Sequence, residues 1–351
     1  MKKNSKTVRT QHPAETIGVD LGDKMSCYAI LDEEGVVREE GSFRNNAESI
    51  AKHFGKQERA RVALEVGTQS AWISREFTKL GHEVIVANAR ELKWITCSDT
   101  KNDRNDAIKL ARLARADRNL LAPVEHRTGE QQAELAVIRA RDALVKARTL
   151  LVNTARSLAK GFGLRLPASI TPTFGARALT RLPEHLTAAL QGLLEQIDAL
   201  GLTIRGYDQR IAEVAARHPE VERLASVPGV GTLTALSYVL TLGRRERFAH
   251  SRDVGSFLGL RPRQKQSGER DPKLGISKCG DQYLRKLLVQ CAHHILGHWG
   301  KDSALRQWGL SKSDGSAGKK RAVIAVARKL AVLLHRLWTT GEVFKPFPKM
   351  V

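Results

Sequence analysis

Nine apolar side chains, Leu186, Leu190, Leu193, Ile197, Leu200, Ile204, Tyr207, Ile211 and Val214, follow one another in steps of four and three. Only an α-helix brings such positions onto one stripe. Just upstream, residues 129–163 carry Val137, Leu144, Leu151 and Leu158 seven apart, with Ala140, Ala147 and Thr154 three further on. Both patterns are heptad seams. A Gly- and Pro-rich break at 161–172 separates them. Pro183 suits the start of the second helix, and His218-Pro219 ends it, because proline disfavours helical geometry in the preceding residue. The seams predict a helical coiled-coil hairpin that either packs on itself or pairs subunits into a dimer or tetramer. Gly192, Gly201 and Gly206 weaken the second helix, which must therefore depend on packing.

Before the hairpin, TIGVDLGDKMSCYAILDEEGVVREEGSF reads as three short strands separated by turn residues at 21–23 and 32–35. A helix over 46–54, a strand RVALEV ending near Glu65, a helix from about Ser70 and a fifth strand EVIVAN follow. A meander that gives way to alternation implies an α/β domain with a mixed sheet. Four carboxylates fall at its functional positions: Asp20 and Glu65 at strand ends, Asp103 and Asp106 where a loop enters a helix. The last two are three apart and so share a helix face. Taken singly, each is an ordinary cap or strand-end residue. Together they form a set of hard oxygen donors suited to Mg²⁺, with Mn²⁺ as the alternative ion, and such ions serve phosphoryl transfer. IGVDLG also resembles the first phosphate loop of sugar kinases and actin-like ATPases, but no later glycine-rich phosphate loop follows.

Beyond the hairpin the charge changes. The whole chain holds 58 Lys and Arg against 37 Asp and Glu, a net charge of +21. From Arg244 onward there are 23 Lys and Arg against 8 acids. Such an excess calls for a polyanion. No stretch is apolar enough to span a membrane and none reads as a basic amphipathic anchor, which leaves nucleic acid. Pro228-Gly229-Val230-Gly231 lies between two helical runs and resembles a helix-hairpin-helix element, whose Gly229 and Gly231 would bring backbone N–H groups to a phosphate. The next stretch, FLGLRPRQKQSGERDPKLGISKCGDQYLRKLLVQCA from Phe257, is a basic loop delivering into a helix, with Ser267 at its centre. Arg261, Arg263, Lys265, Arg270 and Lys273 are its candidate phosphate contacts. An isolated loop of this kind would be a solvated linker.

The four cysteines show no paired spacing and the N-terminus has no apolar signal core, so a reducing cytoplasm is expected. Cys291, His294 and His298 share a helix face but lack a fourth ligand for zinc, and packing accounts for them more simply.

Two separated motifs in the right order carry a resemblance. IGVDLG, ALEVGT and KNDRNDA, followed by GLRPRQKQSGERDPKLGISKCGDQYLRKLL, resemble the DEDD transposases of the insertion sequence 110 family, with its 1111 subgroup, relatives of the Piv DNA invertases. Asn102 stands where the family more often has Thr, and Lys278-Cys279-Gly280 departs mildly from its usual Arg-Gly pair. The resemblance implies a RuvC-like (ribonuclease H-like) domain over 14–122, a coiled-coil region over 128–218 and a mainly helical transposase domain over 219–345. It implies that Asp20, Glu65, Asp103 and Asp106 hold the metal, and that Ser267 attacks DNA to give a serine-linked intermediate. It also implies a bridge or seeker RNA that pairs with donor and target DNA, as in other guided systems. The rival expectations are a RuvC-like nuclease or junction resolvase using water, and a non-catalytic nucleic-acid-binding protein.

Overall fold

The computed structural model describes residues 14–89, 102–166, 168, 173–266, 268, 270, 272 and 274–347. The chain divides into two compact units that part between Gly129 and Glu130.

In the first unit, Thr16–Asp20 (β1), Met25–Leu31 (β2), Val37–Arg44 (β3), Arg61–Glu65 (β4) and Glu83–Ala87 (β5) form one sheet in the order β3-β2-β1-β4-β5. The meander β1–β2–β3 is antiparallel and β1–β4–β5 is parallel, which makes the expected mixed sheet. Alternation along the strands separates two cores. Ile17, Val19, Val62 and Leu64 face Ile50 and Phe54 of Ala47–Phe54 (α1) and Ile73 and Phe77 of Ser70–Lys79 (α2). Ala63, Ile85 and Ala87 face Leu110 and Ala114 of Asp103–Ala116 (α3). The first core is aromatic: Phe54 meets Phe43 at 5.3 Å and Phe77 at 5.0 Å between ring centroids, pairs worth about 0.5–1.5 kcal/mol each beyond their burial. Both sheet edges are protected. β3 carries exposed Arg38, Glu39 and Glu40, while the Val124 amide donates to the Val86 carbonyl along β5 (2.7 Å).

Gly18, in the middle of β1, decides how close α3 can come. A Cβ there would overlap the Ala107 carbonyl oxygen. The helix runs antiparallel to β1 and β4: Ala107 lies over Gly18, and the Ala114 carbonyl accepts from Arg61 Nη1 (3.2 Å) at the start of β4. Its N-terminus therefore lies at the carboxyl ends of the strands.

The second unit is helical: Gly129–Gly161 (α4), Phe174–Leu179 (α5), Glu184–Ala216 (α6), Pro219–Ala225 (α7), Thr232–Leu242 (α8), Asp253–Phe257 (α9), Gln282–Leu296 (α10), Ala304–Leu310 (α11) and Gly315–Thr340 (α12). The two 33-residue helices, α4 and α6, each run about 50 Å. α8 is buried from Thr234 onward, and its Tyr238 hydroxyl donates to the Ala331 carbonyl (2.6 Å) of α12. Ile138, Ile211 and Val214, at one end of α4 and α6, join this core. Further along, α4 and α6 enclose smaller cores around Phe174 and around Leu186 and Leu190.

The buried stripes differ from the predicted seams. On α4 they pass through Ile138, Val152 and Ala159, one position beyond Val137, Leu151 and Leu158, and Leu158 is 47% exposed. On α6, Leu194 and Gly201 are buried where Leu193 and Leu200 are expected. Neighbouring stripes on a helix have the same period, so periodicity cannot say which one is covered. Two carboxylates also lie on the buried face of α4. Glu134 accepts from Arg217 Nη2 (2.6 Å) with His218 Nε2 at 2.9 Å, and Asp142 pairs with Lys146 (2.6 Å). Pro183 is the N-cap of α6 rather than its first turn, and Pro219 opens α7.

Candidate active site

β1 and β4 run in register, Val19 beside Leu64, so Asp20 and Glu65 occupy neighbouring positions at the strand ends. Adjacent strands lie about 4.8 Å apart. Asp20 follows Val19, which faces α1 and α2, and so falls on the side of Gly18 and α3; Glu65 follows Leu64 in the same way. Both are half-buried. The turn after Asp20 is fastened from two distant loops: Asn45 Nδ2 donates to the Gly22 carbonyl (2.9 Å), and Gln69 Nε2 donates to the Gly22 carbonyl (3.1 Å) and to that of Asp23.

α3 begins at Asp103, and its N-cap Asn102 accepts from the Arg104 amide (3.1 Å). The departure at Asn102 thus preserves a cap, since Asn serves there as well as Thr. Asp103 is exposed; Asp106 is buried and pairs with Lys109 at 3.2 Å. Cys27, opposite Asp20 on β2, registers both halves of the set. Its thiol is pushed up by burial and then by the charges of Asp103 and Asp20, with Arg104 acting against them. Asp103 and Asp20 therefore act on one point from α3 and β1.

Among the described residues, no group of three or more His, Cys, Asp or Glu side chains is arranged to hold a metal ion. The donor types nonetheless suit one. Carboxylates at the ends of two adjacent strands and on the facing helix start are hard oxygen ligands on one side of the sheet, as Mg²⁺ requires.

In the second unit the basic loop leaves and re-enters the fold through a narrow root. The Arg263 amide donates to the Gly275 carbonyl (3.0 Å), Ser277 to Arg261 (2.8 Å) and Lys278 to Gly259 (3.1 Å). Arg285 Nη1 donates to the carbonyls of Leu258 (3.0 Å) and Cys279 (2.7 Å), joining both stems. At Gly280 (φ +70°) a Cβ would overlap the Phe257 carbonyl oxygen, so the stems cross where only glycine fits. Asp281 caps α10 through the Leu284 amide (2.7 Å) and is paired with Arg139, whose guanidinium also lies over the Tyr283 ring. Arg261, Arg263, Lys265 and Arg270 are exposed. Ser267 and Lys273 lie outside the described residues.

Gly229 has φ +87° and presses on α10, where a Cβ would lie 3.1 Å from His294 and Ile295. Gly231 is the N-cap of α8, and Gly231 and Thr232 are exposed ahead of the buried part of the helix. Amides of a helix's first turn lack intrahelical partners and suit an anion. Cys291 is buried with Sγ 3.7 Å from Thr234 Oγ1; His294 is exposed on α10 and His298 lies in the turn beyond its end, so the three do not share one helix face as expected.

Several contributors have no clear mark in the sequence. Lys109 could have been read from its spacing to Asp106. Asn45, Gln69 and Arg285 act on carbonyls that no pattern announces.

Comparison with known proteins places this geometry in a family. Residues 221–307 match the family described as "Transposase IS116/IS110/IS902 family", and residues 17–163 match the DEDD transposase model of the IS110 type, described as "Transposase". The chain is 30% identical over 347 residues to a Coxiella burnetii protein named transposase for insertion sequence element IS1111A, covering 96% of this chain and 93% of that one. It is 30% identical over 302 residues to a Yersinia enterocolitica protein named transposase for insertion sequence element IS1328, covering 81% and 85%. A pilin gene-inverting protein of Moraxella bovis is 26% identical over 156 residues, 42% of this chain and 46% of that one. The carboxylates on one side of the sheet and the basic loop thus fall within matched segments, and the chain belongs to the IS110/IS116 family of transposases, enzymes of DNA recombination.

Proposed function

We propose that this transposase excises and inserts its own insertion sequence through a serine–DNA intermediate. Asp20, Glu65, Asp103 and Asp106 would act as metal ligands and Ser267 as nucleophile. The observation that carries the reading is the placement of Asp20 and Glu65 at adjacent strand ends, on the side of the sheet where α3 begins with Asp103 and Asp106. Bound Mg²⁺ would stabilise charge on the phosphate oxygens and acidify a coordinated hydroxyl. The Ser267 oxygen forms a bond to phosphorus as the phosphorus–oxygen bond to one deoxyribose breaks. The serine proton leaves to base or solvent, and the released sugar oxygen takes up a proton. Attack by the hydroxyl of another strand reverses the step, so the phosphoester is conserved and no ATP is needed. Arg261, Arg263, Lys265, Arg270 and Lys273 would hold the phosphate and offset its growing charge, and the Gly229–Gly231 turn would contact backbone phosphate.

The domain assignments 14–122, 128–218 and 219–345 are part of this proposal. So are a guide RNA that pairs with donor and target DNA, a homo-oligomer that brings serine and carboxylates together, and action on DNA in the cytoplasm. Among the described residues, no helix is long and apolar enough to cross a membrane.

Ser267→Ala tests the chemistry. It is expected to abolish strand cleavage and the protein-linked DNA seen on denaturing gels while leaving nucleic-acid binding intact; full recombination by this variant would overturn the mechanism. A water-using resolvase would cleave without any protein-linked DNA.

A further inference from the structure

Trp299 is 80% exposed, more than any other large apolar side chain among the described residues. A solitary exposed apolar residue ordinarily needs no explanation. The turn that carries Trp299, however, is fastened. It lies between α10 and α11, where Arg306 donates to the carbonyls of Ile295 and Gly297 and the Gly300 amide closes on Gly297 (3.2 Å). A Cβ at Gly300 would overlap Arg306, so the guanidinium fills the inside of the turn. The His298 ring packs edge-on to the indole, 5.0 Å away between centroids at 78°. The indole is thus presented to solvent on a turn whose backbone is fastened, open to a flat ligand.

Gly297 also lines a cleft of about 430 Å³. Leu296, Leu310 and Val323 make its apolar part, and His293, Lys319 and Lys320 its polar part. Gly297 and Trp299 are two residues apart, at most about 7 Å along the chain, a span comparable with one nucleotide. From His293 to Arg321 there are six Lys and Arg against two Asp. An apolar protein partner fits poorly, because lysine is depleted where proteins bury surface against each other. Flat apolar surface beside exposed ammonium groups matches a base joined to a phosphate. Paired bases keep their faces stacked inside the duplex, so the match is to an unpaired strand.

We propose that Trp299 and the His293–Lys319–Lys320 cleft form a binding site for unpaired nucleic acid. The indole stacks on a base and the two lysines hold the adjoining phosphates. The site is separate from the basic loop and does not depend on the role of Ser267. Opened DNA and single-stranded RNA share this chemistry.

The test uses the full-length protein with a fluorescent single-stranded DNA oligonucleotide, the corresponding RNA and the matching DNA duplex. Trp299→Ala is expected to weaken binding of one or both single strands by roughly five- to a hundredfold, the range for loss of one stacked base, with duplex binding unchanged and Trp299→Phe recovering most of the loss. Whichever single strand responds identifies the source. Replacing both Lys319 and Lys320 with Ala should lower the slope of log affinity against log salt by about 1.4 on that strand, roughly 0.7 for each phosphate contact. Unchanged single-strand affinity in Trp299→Ala would overturn the proposal, as would an equal loss on duplex and single strand, or a change confined to the sedimentation of a protein oligomer.

Discussion

The two regions to which the proposed function assigns the chemistry are built on opposite principles. In the first unit the carboxylates project from regular elements: two strand ends in register and the first turn of a helix seated on Gly18. Among the described residues of the second unit, the basic loop is secured at its root, by Arg285, the crossing at Gly280 and the capped start of α10. Ligands for a hard cation must be aligned to a fraction of an ångström, which strands and helices do better than loops. A nucleophile that must reach a long polyanion benefits from a loop. Under the proposed function this difference amounts to a division of labour, with the carboxylates on rigid elements and the nucleophile on a loop.

Four changes would break or sharpen that contrast. Asp20→Asn keeps the shape of the strand end and removes its charge; it should lower strand cleavage by roughly 10²–10³-fold or more with the melting temperature nearly unchanged. A variant that unfolds instead would make Asp20 structural. Gly18→Ala forces a methyl group against the Ala107 carbonyl. It should cost about 3 kcal/mol in urea unfolding of the first unit, at the upper end for overpacking, and cleavage should fall as α3 is displaced.

Arg285→Ala removes a cation shared by two carbonyls, at about 1.5–3 kcal/mol for a hydrogen bond to a charged group. Under the proposed mechanism it should reduce cleavage more than nucleic-acid affinity, with Arg285→Lys partly restoring activity. Equal losses in both would show that the root merely holds the unit together.

The smallest effect is a pH response that separates the units. His82 accepts from the Ala60 amide at Nδ1 (3.2 Å) and therefore donates from Nε2 to the Phe54 carbonyl (3.2 Å), so the fold holds it neutral. Burial lowers its pKa, opposed by the Phe54 hydrogen bond. Below the ordinary value of about 6.5 the unfolded chain binds the extra proton first, and the first unit loses stability as pH falls from there towards the folded value. In the second unit, burial acts to raise the Glu134 carboxyl, but Arg217 and His218 more than offset it and the net shift is downward. That stability is complete above about 4.5 and lost only as pH falls through the lower folded value. Hydrogen exchange followed from pH 7 to 4 should show the first unit loosening earlier, and His82→Gln should flatten its response.

Much of this was legible in the sequence because it rests on local rules. Strand runs bounded by turn residues, the entry of a loop into a helix near Asp103 and prolines at helix ends report on backbone geometry within a few residues. They located all five strands and the ends of the long helices. The two acid positions on β1 and β4 were legible as strand ends, and the charge excess as a demand for a polyanion. The register that makes Asp20 and Glu65 neighbours was not, since it depends on β1 choosing β4 across some forty intervening residues. Nor was the covered stripe of α4, because Val137 and Ile138 satisfy the same period and only the packing partner selects between them.

What the chain determined by itself, then, is the type of each element and the chemistry its side chains can offer, because dihedral preference and charge are properties of short segments. Tertiary structure alone decided that two strand ends and a helix start lie on one side of a sheet, that Arg285 joins stems twenty-one residues apart, and that Trp299 is left open to water. Each of these results from contact between groups distant in sequence, and such contacts exist only once the elements have packed.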